Sequence, residues 1–372
     1  MKDILVIGGG KIGSVVAELL VDTPEEGGYR VTVADRSEAL LAEIHADARR
    51  SPRLTTRLLD VNDPVELIDA LRGRYAVLSA APYHLTLRVA QAAKAAGVHY
   101  LDLTEDVAST RAIRALAEGA RTAFIPQCGL APGFIAIVAA DLARKFDSLD
   151  SVRMRVGALP AYPSNALNYN LTWSTEGVIN EYCEPCEAIV DGHLCSVPAL
   201  EEREEFSLDG VLYEAFNTSG GLGTLCETLA GKVRTLNYRT IRYPGHAAIM
   251  KALLHDLRLK DRRDVLKDTL EQSLPATMQD VVIVFVTVAG QRDGRLMQDT
   301  YARKIYSHVM AGKMRSAIQI TTASGLCAML DMLAAGALPQ QGFARQEDLP
   351  LASFLGNRFG RVYAADARAH AA

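Results

Sequence analysis

The sequence lacks the features typical of membrane-spanning and nucleic-acid-binding proteins. It has no run of five or more like charges, and 40 Lys and Arg against 44 Asp and Glu leave a net charge of −4. This balance argues against nucleic acid or an anionic membrane as the main partner. An apolar stretch around residues 131–143 contains Pro132 and Gly133 and is shorter than the ~18–20 residues that span a membrane. The apolar residues 4–7 run straight into three glycines, so we expect no signal peptide.

Cysteine is scarce, with six among 372 residues, and only Cys183 and Cys186 form a close pair. No second C-x-x-C or histidine pair stands at zinc-ligand spacing, so we predict no metal site. Scattered cysteines are typical of reduced thiols inside cells, and we expect a cytoplasmic protein. A hydrophobic fraction of 49% and a charged fraction of 23% indicate an ordinary globular protein, and the length suggests two domains.

The N-terminal part alternates short apolar strands with amphipathic helices. Strand-like segments lie at residues 4–7, 30–34, 54–59, 75–79, 98–103 and 123–126, and helical patterns separate them. Strands in this alternation form a parallel, doubly wound α/β sheet of the Rossmann type. Because ligands bind at the carboxyl ends of such strands, the residues that follow each strand are the candidates for a cofactor site.

A glycine-rich turn follows the first predicted strand and opens a helix. Gly8, Gly10 and Gly13 fit the pattern G-x-G-x-x-G, with Lys11 and Ile12 inside it, and this pattern binds the pyrophosphate of a dinucleotide at the helix N-terminus. Asp35 ends the second strand, where a carboxylate accepts hydrogen bonds from the adenosine ribose and repels a 2′-phosphate. We therefore predict NAD as the cofactor, although Arg36 beside Asp35 could attract a phosphate.

The ends of the other strands carry further candidates for contact with the cofactor. These are Asp60, Val61, Ser79, Ala80, Ala81, Pro82 and Thr104. Tyr83 and His84 follow the small residues and would stand near the point of hydride transfer. Asp102, Glu105 and Asp106 are too close in sequence for all three to be catalytic, and we expect at least one to cap a helix or form a salt bridge.

The pattern changes after about residue 150. The pairs Asp191-Gly192, Asp209-Gly210 and Asp293-Gly294 each stand between strand-like runs and predict short hairpins, so we expect an α+β domain with an antiparallel sheet. Its valine-rich strand at residues 281–289 suggests an exposed face that makes a homodimer or larger homo-oligomer. A long apolar helix at residues 316–333 is expected to return to the first domain. The predicted domains are residues 1–148, 149–312 and 313–372.

Polar residues of this second domain gather in two segments. Residues 165–176 include the only tryptophan, Trp173, and residues 238–246 include Arg242, whose planar guanidinium suits a carboxylate. Strand alternation places Thr240 on the same face as Arg242. An exposed strand arginine is the alternative interpretation. The loop at residues 217–221 is a further candidate for holding a polar substrate group.

With these motifs the chain resembles the saccharopine dehydrogenase family, and within it the branch of the lysine 6-dehydrogenases. The resemblance rests on the glycine turn, on residues 129–133 (Gly-Leu-Ala-Pro-Gly), on residues 169–177 with Trp173, and on residues 240–245 with Arg242. It implies a Rossmann domain, an α+β domain and a C-terminal return, in agreement with the pattern of strands and helices. The loop at residues 218–221 and the pair Gly245-His246 favour the lysine branch over the glutamate-forming saccharopine dehydrogenases.

The resemblance implies oxidation of a C–H bond next to an amine. The hydride passes to the nicotinamide, and water converts the imine to an aldehyde, which for lysine cyclises to a piperideine. The expected substrate-binding residues are Arg242 for the α-carboxylate, with Asn168, Tyr169, Thr218 and Cys128 in the pocket. The candidate proton acceptors are His246, Glu105 and Tyr83. A saccharopine dehydrogenase and a non-catalytic, dinucleotide-binding regulatory protein are the alternatives.

Overall fold

The computed structural model describes residues 1–48, 51–310 and 312–364. This part of the chain divides into two compact units, the first made of Met1–Phe134 with Gln319–Ala364 and the second of Ile135–Ile318. The predicted boundary at residue 148 lies later than the first division, and the one at residue 312 lies earlier than the second. Residues 365–372 of the predicted C-terminal segment lie outside the described residues.

The described residues alternate strand and helix in the first unit, whereas long strands dominate the second. The strands are β1 (Lys2–Ile7), β2 (Tyr29–Asp35), β3 (Leu54–Leu58), β4 (Ala76–Ser79), β5 (His99–Asp102), β6 (Ala123–Ile125), β7 (Ser148–Pro160), β8 (Cys186–Val190), β9 (His193–Val197), β10 (Glu204–Leu208), β11 (Val211–Asn217), β12 (Val233–Arg242), β13 (Asp280–Arg292), β14 (Arg295–Tyr306), β15 (His308–Met310), β16 (Lys313–Arg315) and β17 (Gly342–Phe343). The α-helices are α1 (Gly13–Val21), α2 (Glu38–Ala48), α3 (Pro64–Leu71), α4 (Thr86–Ala96), α5 (Val107–Ala117), α6 (Phe134–Ala143), α7 (Thr175–Cys183), α8 (Leu225–Leu229), α9 (His246–Lys251), α10 (Arg263–Ser273), α11 (Ala317–Ala334) and α12 (Leu351–Gly356).

The first unit is built on a seven-stranded sheet with the strand order β17-β6-β5-β4-β1-β2-β3. All of its pairs are parallel, so the predicted doubly wound sheet is confirmed. Apolar side chains of the strands, such as Leu5, Val77 and Phe124, are fully buried against Val89 and Ile113 of the helices. Since the strands are parallel, their carboxyl ends lie along one edge of the sheet, where the predicted cofactor residues are found.

The long apolar helix predicted at residues 316–333 is present as α11. By length and composition it could cross a membrane, but 83% of its most apolar window is buried in the protein. Burial of this extent is what the core helix of a globular protein shows, because such a helix is apolar on all sides.

The N-terminus of α11 is capped by a buried carboxylate. Asp280, at the start of β13, is fully buried and accepts hydrogen bonds from the backbone amides of Ala317 and Ile318, the second at 3.1 Å. The first amides of a helix have no partner within the helix, so a carboxylate at this place satisfies them and interacts favourably with the helix dipole.

Asp280→Ala is therefore expected to lower the free energy of unfolding by about 2 kcal/mol or more, since two buried amides lose their acceptor. Thermal and urea denaturation measure the effect. Asp63→Ala is the matched control, because Asp63 caps α3 at an exposed site with bonds to Val65 and Glu66 and should cost about 1 kcal/mol. Equal losses in the two variants would contradict the importance of burial at Asp280.

The second unit is built on an eight-stranded sheet. Six strands follow the order β10-β11-β12-β7-β13-β14, and β8, which also pairs with β9, adds to β12. The three predicted hairpins are confirmed, and in each the Asp-Gly pair has positive φ at both residues, as a type I′ turn requires. The sheet is mixed rather than wholly antiparallel, because β7 and β12 pair in parallel across a long connection.

The valine-rich strand β13 occupies a central place in this sheet, between β7 and β14. Its valines are at most 4% exposed in the single chain. They therefore do not form the exposed apolar face from which the oligomer was predicted. The homo-oligomer stays a prediction without that argument.

Candidate functional site

The glycine-rich turn joins β1 to α1 and leaves no room for larger side chains at two positions. A Cβ atom on Gly13 would lie 1.8 Å from the carbonyl oxygen of Gly8, and one on Gly8, where φ is +92°, would lie 2.8 Å from the carbonyl oxygen of Ala80. At Gly10, in contrast, no atom lies within 4 Å of the added Cβ, and the residue is exposed. The turn therefore fits a pyrophosphate, which would approach the backbone at Gly10 and face the amides that begin α1.

Asp35, at the end of β2, holds this turn in place. One carboxylate oxygen accepts a hydrogen bond from the amide of Gly9 at 2.8 Å, and the other accepts one from the amide of Ser37 at 2.9 Å. The side chain is half-buried, and Arg36 beside it is exposed. Asp35 thus stands where the sequence predicts it, next to the turn, and it also has a structural role there.

The other predicted cofactor residues lie at the same edge of the sheet. Asp60 and Val61 follow β3, the segment from Ser79 to Pro82 follows β4, and Thr104 follows β5. Lys11 is exposed within the turn, and its backbone carbonyl accepts a hydrogen bond from the side-chain amide of Gln319 at 3.1 Å. The sequence gives no signal for Gln319, since more than 300 residues separate it from the turn.

Asp102 is a buried carboxylate that ties together the loops after β5 and β6. One oxygen accepts from the amides of Thr104 at 3.0 Å and Gln127 at 2.9 Å, and the other accepts from the hydroxyl of Tyr100 at 2.7 Å. Burial raises the pKa of Asp102 to about 6. Asp106 accepts from the amide of Ser109 at 2.7 Å and caps α5, as the sequence predicted for one of these acids.

Tyr83 and Glu105, two of the predicted proton acceptors, lie in loops at this edge of the sheet. Tyr83 opens the helical turn Tyr83–Leu85 after β4, and its ring stands edge-on to that of His84. Glu105 is half-buried between β5 and the start of α5. Both positions are compatible with a reacting group near the carboxyl ends of the strands, and both roles stay predictions.

Cys128, which was predicted in the substrate pocket, lies buried in the turn after β6. It is 1% exposed, and its thiol donates to the carbonyl of Ile125 at 3.0 Å. The sulfur accepts a hydrogen bond from the side-chain amide of Gln346 at 3.4 Å. Burial raises the pKa of the Cys128 thiol well above its ordinary value. These contacts favour a buried thiol that stabilises the turn after β6.

In the second unit Arg242 ends β12 and is buried, with 2% of its surface exposed. Its Nε donates to the hydroxyl of Tyr182 and its Nη1 to the carbonyl of Ile241, both at 2.9 Å. The guanidinium carbon lies 4.9 Å from the centre of the Tyr169 ring. An exposed strand arginine is thus ruled out, and Arg242 is a buried cation in an aromatic environment.

A buried acid accompanies this buried cation, since Glu181 is 6% exposed and acts electrostatically on Arg242. The buried hydroxyls of Tyr169 and Thr172 interact with each other, but neither makes a hydrogen bond of good geometry among the described residues. A buried donor without a partner costs free energy, so the Tyr169 hydroxyl on a ring beside the Arg242 guanidinium suits a ligand that brings acceptor oxygens. Thr172 and Tyr182 are residues that the sequence analysis missed.

Thr240 lies on the same face of β12 as Arg242, as strand alternation predicts. Its hydroxyl is 2.8 Å from the hydroxyl of Thr218, and both residues are buried. Asn168 is half-buried in the turn before Tyr169 and adopts a left-handed conformation with φ of +49°. Of the predicted residues of the second unit, Tyr169 thus lies against the Arg242 guanidinium, and Thr218 pairs with Thr240 on the strand that ends in Arg242.

His246 begins α9 and is 1% exposed. Its Nε2 is 3.0 Å from the hydroxyl of Tyr182, and its Nδ1 is 2.9 Å from the carbonyl of Leu167. Burial and the neighbouring guanidinium of Arg242 lower the pKa of His246 to about 3. With both nitrogens occupied and so low a pKa, His246 is better suited to orient its neighbours than to accept a proton from the substrate.

Two family models match the chain. The saccharopine dehydrogenase NADP binding domain matches residues 4–125, and the saccharopine dehydrogenase C-terminal domain matches residues 129–357. Among solved structures, the chain is similar in fold to the apo saccharopine dehydrogenase (L-Glu forming) of Saccharomyces cerevisiae. That match has a TM-score of 0.75 and 19% identity, and it covers 93% of this chain and 94% of that one.

Two further structures are more distant. The DAP dehydrogenase of C. glutamicum in complex with DAP has a TM-score of 0.49 and 11% identity, covering 98% of this chain and 99% of that one. An engineered D-amino acid dehydrogenase bound to NADP+ has a TM-score of 0.49 and 12% identity, covering 96% and 97%. Likenesses of this degree bear on neither the fold nor the substrate.

Together the two matched regions include the glycine turn and the residues around Arg242. The protein is accordingly an oxidoreductase that uses a nicotinamide dinucleotide. It belongs to the saccharopine dehydrogenase family, as its motifs predicted, and it acts on an amino-acid-derived substrate at a CH–NH group.

Proposed function

We propose that the protein is an NAD-dependent lysine 6-dehydrogenase. It oxidises the terminal amine of L-lysine to the imine, which water hydrolyses to 2-aminoadipate 6-semialdehyde with release of ammonia. The semialdehyde cyclises to piperideine-6-carboxylate. We expect this reaction in the cytoplasm.

The observation that carries this proposal is the cluster around Arg242. A buried guanidinium beside the ring of Tyr169, whose buried hydroxyl lacks a hydrogen-bond partner among the described residues, is complementary to one carboxylate. Lysine has a single carboxylate, whereas saccharopine, in which a secondary amine joins lysine to glutamate, has three. One buried arginine in this cluster therefore favours the smaller substrate.

The reaction needs an amine that has lost its proton, because an ammonium nitrogen has no lone pair to support departure of the hydride. In our proposal Glu105 or Tyr83 accepts this proton, and Arg242 holds the carboxylate at the other end of the amino acid. Asn168 and Thr218 bind the α-amino end. A bound nicotinamide supplies the hydride acceptor, and Gly8, Gly10, Gly13 and Asp35 are the residues that hold the dinucleotide.

Wild-type protein is expected to bind NADH at least about tenfold more tightly than NADPH, because the Asp35 carboxylate repels a 2′-phosphate. Asp35→Ala should narrow this preference and weaken NADH binding, since the ribose and the amide of Gly9 both lose an acceptor. Fluorescence titration with the two reduced cofactors measures both constants. Glu38→Gln, which removes an exposed acid nearby, is the control. Tighter binding of NADPH by the wild type would overturn the choice of NAD.

A saccharopine dehydrogenase is the second candidate. It is favoured by the similarity in fold to the yeast enzyme over nearly the whole of both chains. In that case the same cluster would bind one of the three carboxylates of saccharopine, and the products would be the semialdehyde and glutamate.

The test is the appearance of NADH absorbance when purified protein and NAD are mixed with L-lysine, saccharopine or L-glutamate at mildly alkaline pH. NADH with L-lysine alone supports the proposal. NADH with saccharopine alone replaces it with the second candidate. No NADH with any of the three, despite cofactor binding, would contradict both and favour another amine or a non-catalytic regulatory protein.

A further inference from the structure

Glu214 is a buried carboxylate of β11 that no part of the proposed chemistry uses. It pairs in register with Arg242 of β12 and is 1% exposed. One of its oxygens accepts from the amide of Ala247 at 2.7 Å, and the other accepts from the amide of Gly245 at 3.1 Å. Arg203 contributes an ion pair at 3.3 Å.

These bonds fix the start of α9 and thereby the position of His246, which lies between the two bonded amides. Gly245 has φ of +98°, a conformation that favours glycine, and it turns the chain sharply from β12 into the helix. The His246 ring is then held by Tyr169, edge-on at 5.4 Å, and by Phe216, stacked at 6.2 Å.

Hydrogen bonds link Arg242, Tyr182, His246 and the carbonyl of Leu167 in series, and each group donates to the next. Arg242 Nε can only donate, so the Tyr182 oxygen accepts from it and the Tyr182 hydrogen points to another acceptor. That acceptor is His246 Nε2, and His246 Nδ1 must then carry the hydrogen that is donated to the carbonyl of Leu167. Only the neutral imidazole protonated at Nδ1 satisfies every hydrogen bond in this series.

We propose that Glu214 is a positioning residue for the substrate carboxylate. By fixing the start of α9 it holds His246 as the Nδ1-protonated tautomer, which orients the Tyr182 hydroxyl and so fixes the guanidinium of Arg242. The identity of the carboxylate rests on the proposed function, whereas the tautomer and the orientation of Arg242 do not.

The test is Glu214→Gln in the full-length protein. A glutamine amide nitrogen would face a backbone amide and break one of the two bonds to α9. We expect the dissociation constant of L-lysine to rise about tenfold, as for a slightly misplaced binding group, with an unchanged constant for NADH. Fluorescence of Trp173 reports amino-acid binding without turnover, since it is the only tryptophan and packs on the hydrophobic cluster that contains Tyr169 and Tyr182. In steady-state kinetics KM should rise far more than kcat falls.

The second readout is independent of any substrate. Long-range proton–nitrogen spectra of protein labelled in histidine, with His246 assigned by its loss in His246→Asn, distinguish the two tautomers. We expect the Nδ1-protonated form in the wild type and a mixture in Glu214→Gln. Glu205→Gln is the matched control, because Glu205 also pairs with Arg203 but is exposed and has no bond to α9.

Several results would overturn the proposal. These are an Nε2-protonated His246 in the wild type, or a Glu214→Gln protein with unchanged tautomer and unchanged affinity. If Glu214→Gln does not fold, Tyr182→Phe tests the same series of hydrogen bonds at its centre and should weaken L-lysine binding similarly. Wild-type affinity in that variant would refute the role of these hydrogen bonds. If the wild type binds no L-lysine, the proposed function fails while the nitrogen spectra still decide the positioning role.

Discussion

Replacing Arg242 with methionine is expected to raise the KM for the amino-acid substrate by about 100-fold or more. Loss of one partner from a buried, hydrogen-bonded charge pair costs about 2–5 kcal/mol, which corresponds to a factor of about 30 to several thousand. The fold should survive, because methionine fills a similar volume among Tyr169 and Tyr182 and removes a buried charge that is costly without its ligand. Steady-state kinetics with L-lysine, or with saccharopine if that is the substrate, measure the change.

Two variants separate the role of Arg242 from general effects. Arg242→Lys keeps the charge but loses the planar fork, and we expect an intermediate KM. Arg234→Met is the control on the same strand, since Arg234 is exposed and pairs with Asp150. An Arg242→Met protein with an unchanged KM would remove Arg242 from the substrate site and with it the main support for the proposed function.

Gly13→Ala is expected to weaken NADH binding by about 100-fold or more and to lower the thermal midpoint. The added Cβ would lie 1.8 Å from the carbonyl oxygen of Gly8, so the turn has to move, and a misplaced group of this kind costs roughly 100-fold. Displacement of the turn also breaks the contact between β1 and α1, which explains the loss of stability. Fluorescence titration with NADH and thermal denaturation report the two effects separately.

Gly10→Ala should behave differently, because nothing lies within 4 Å of its added Cβ. We expect an unchanged thermal midpoint together with weaker NADH binding, since the methyl group occupies the space that the pyrophosphate needs. Gly356→Ala is the control at an open position outside the turn. Wild-type affinity in Gly10→Ala would show that the dinucleotide does not approach the turn at that residue.

The candidate residues of each unit differ in how far the sequence predicts them. Gly8, Gly10, Gly13 and Asp35 were predicted in place, because each is determined by its position relative to a neighbouring strand. Arg242 and Thr240 were also predicted on one face, because strand alternation has a period of two residues. The tautomer of His246 and the partners of Arg242 could not be predicted in this way.

The surroundings of two predicted site residues favour other roles for them, and the reason is the same in both cases. The sequence analysis offered Cys128 as a residue of the substrate pocket and His246 as a proton acceptor. Their burial and their hydrogen bonds to backbone carbonyls make one a structural thiol and the other a neutral imidazole. Whether a cysteine or histidine reacts depends on its solvation, and solvation is set by residues far away in the sequence.

The sequence by itself determined the doubly wound sheet, the glycine turn and the three Asp-Gly hairpins, because these follow from periodicity and from residues a few positions apart, and its motifs carried the resemblance to the family. Only the tertiary structure decided the parallel pairing of β7 with β12 and the cap that Asp280 provides to a helix 37 residues later. It also decided the hydrogen bonds of Tyr182 to Arg242, 60 residues away, and to His246, 64 residues away. These contacts depend on burial and register between distant segments, and no local pattern of residues encodes which buried donor will meet which acceptor.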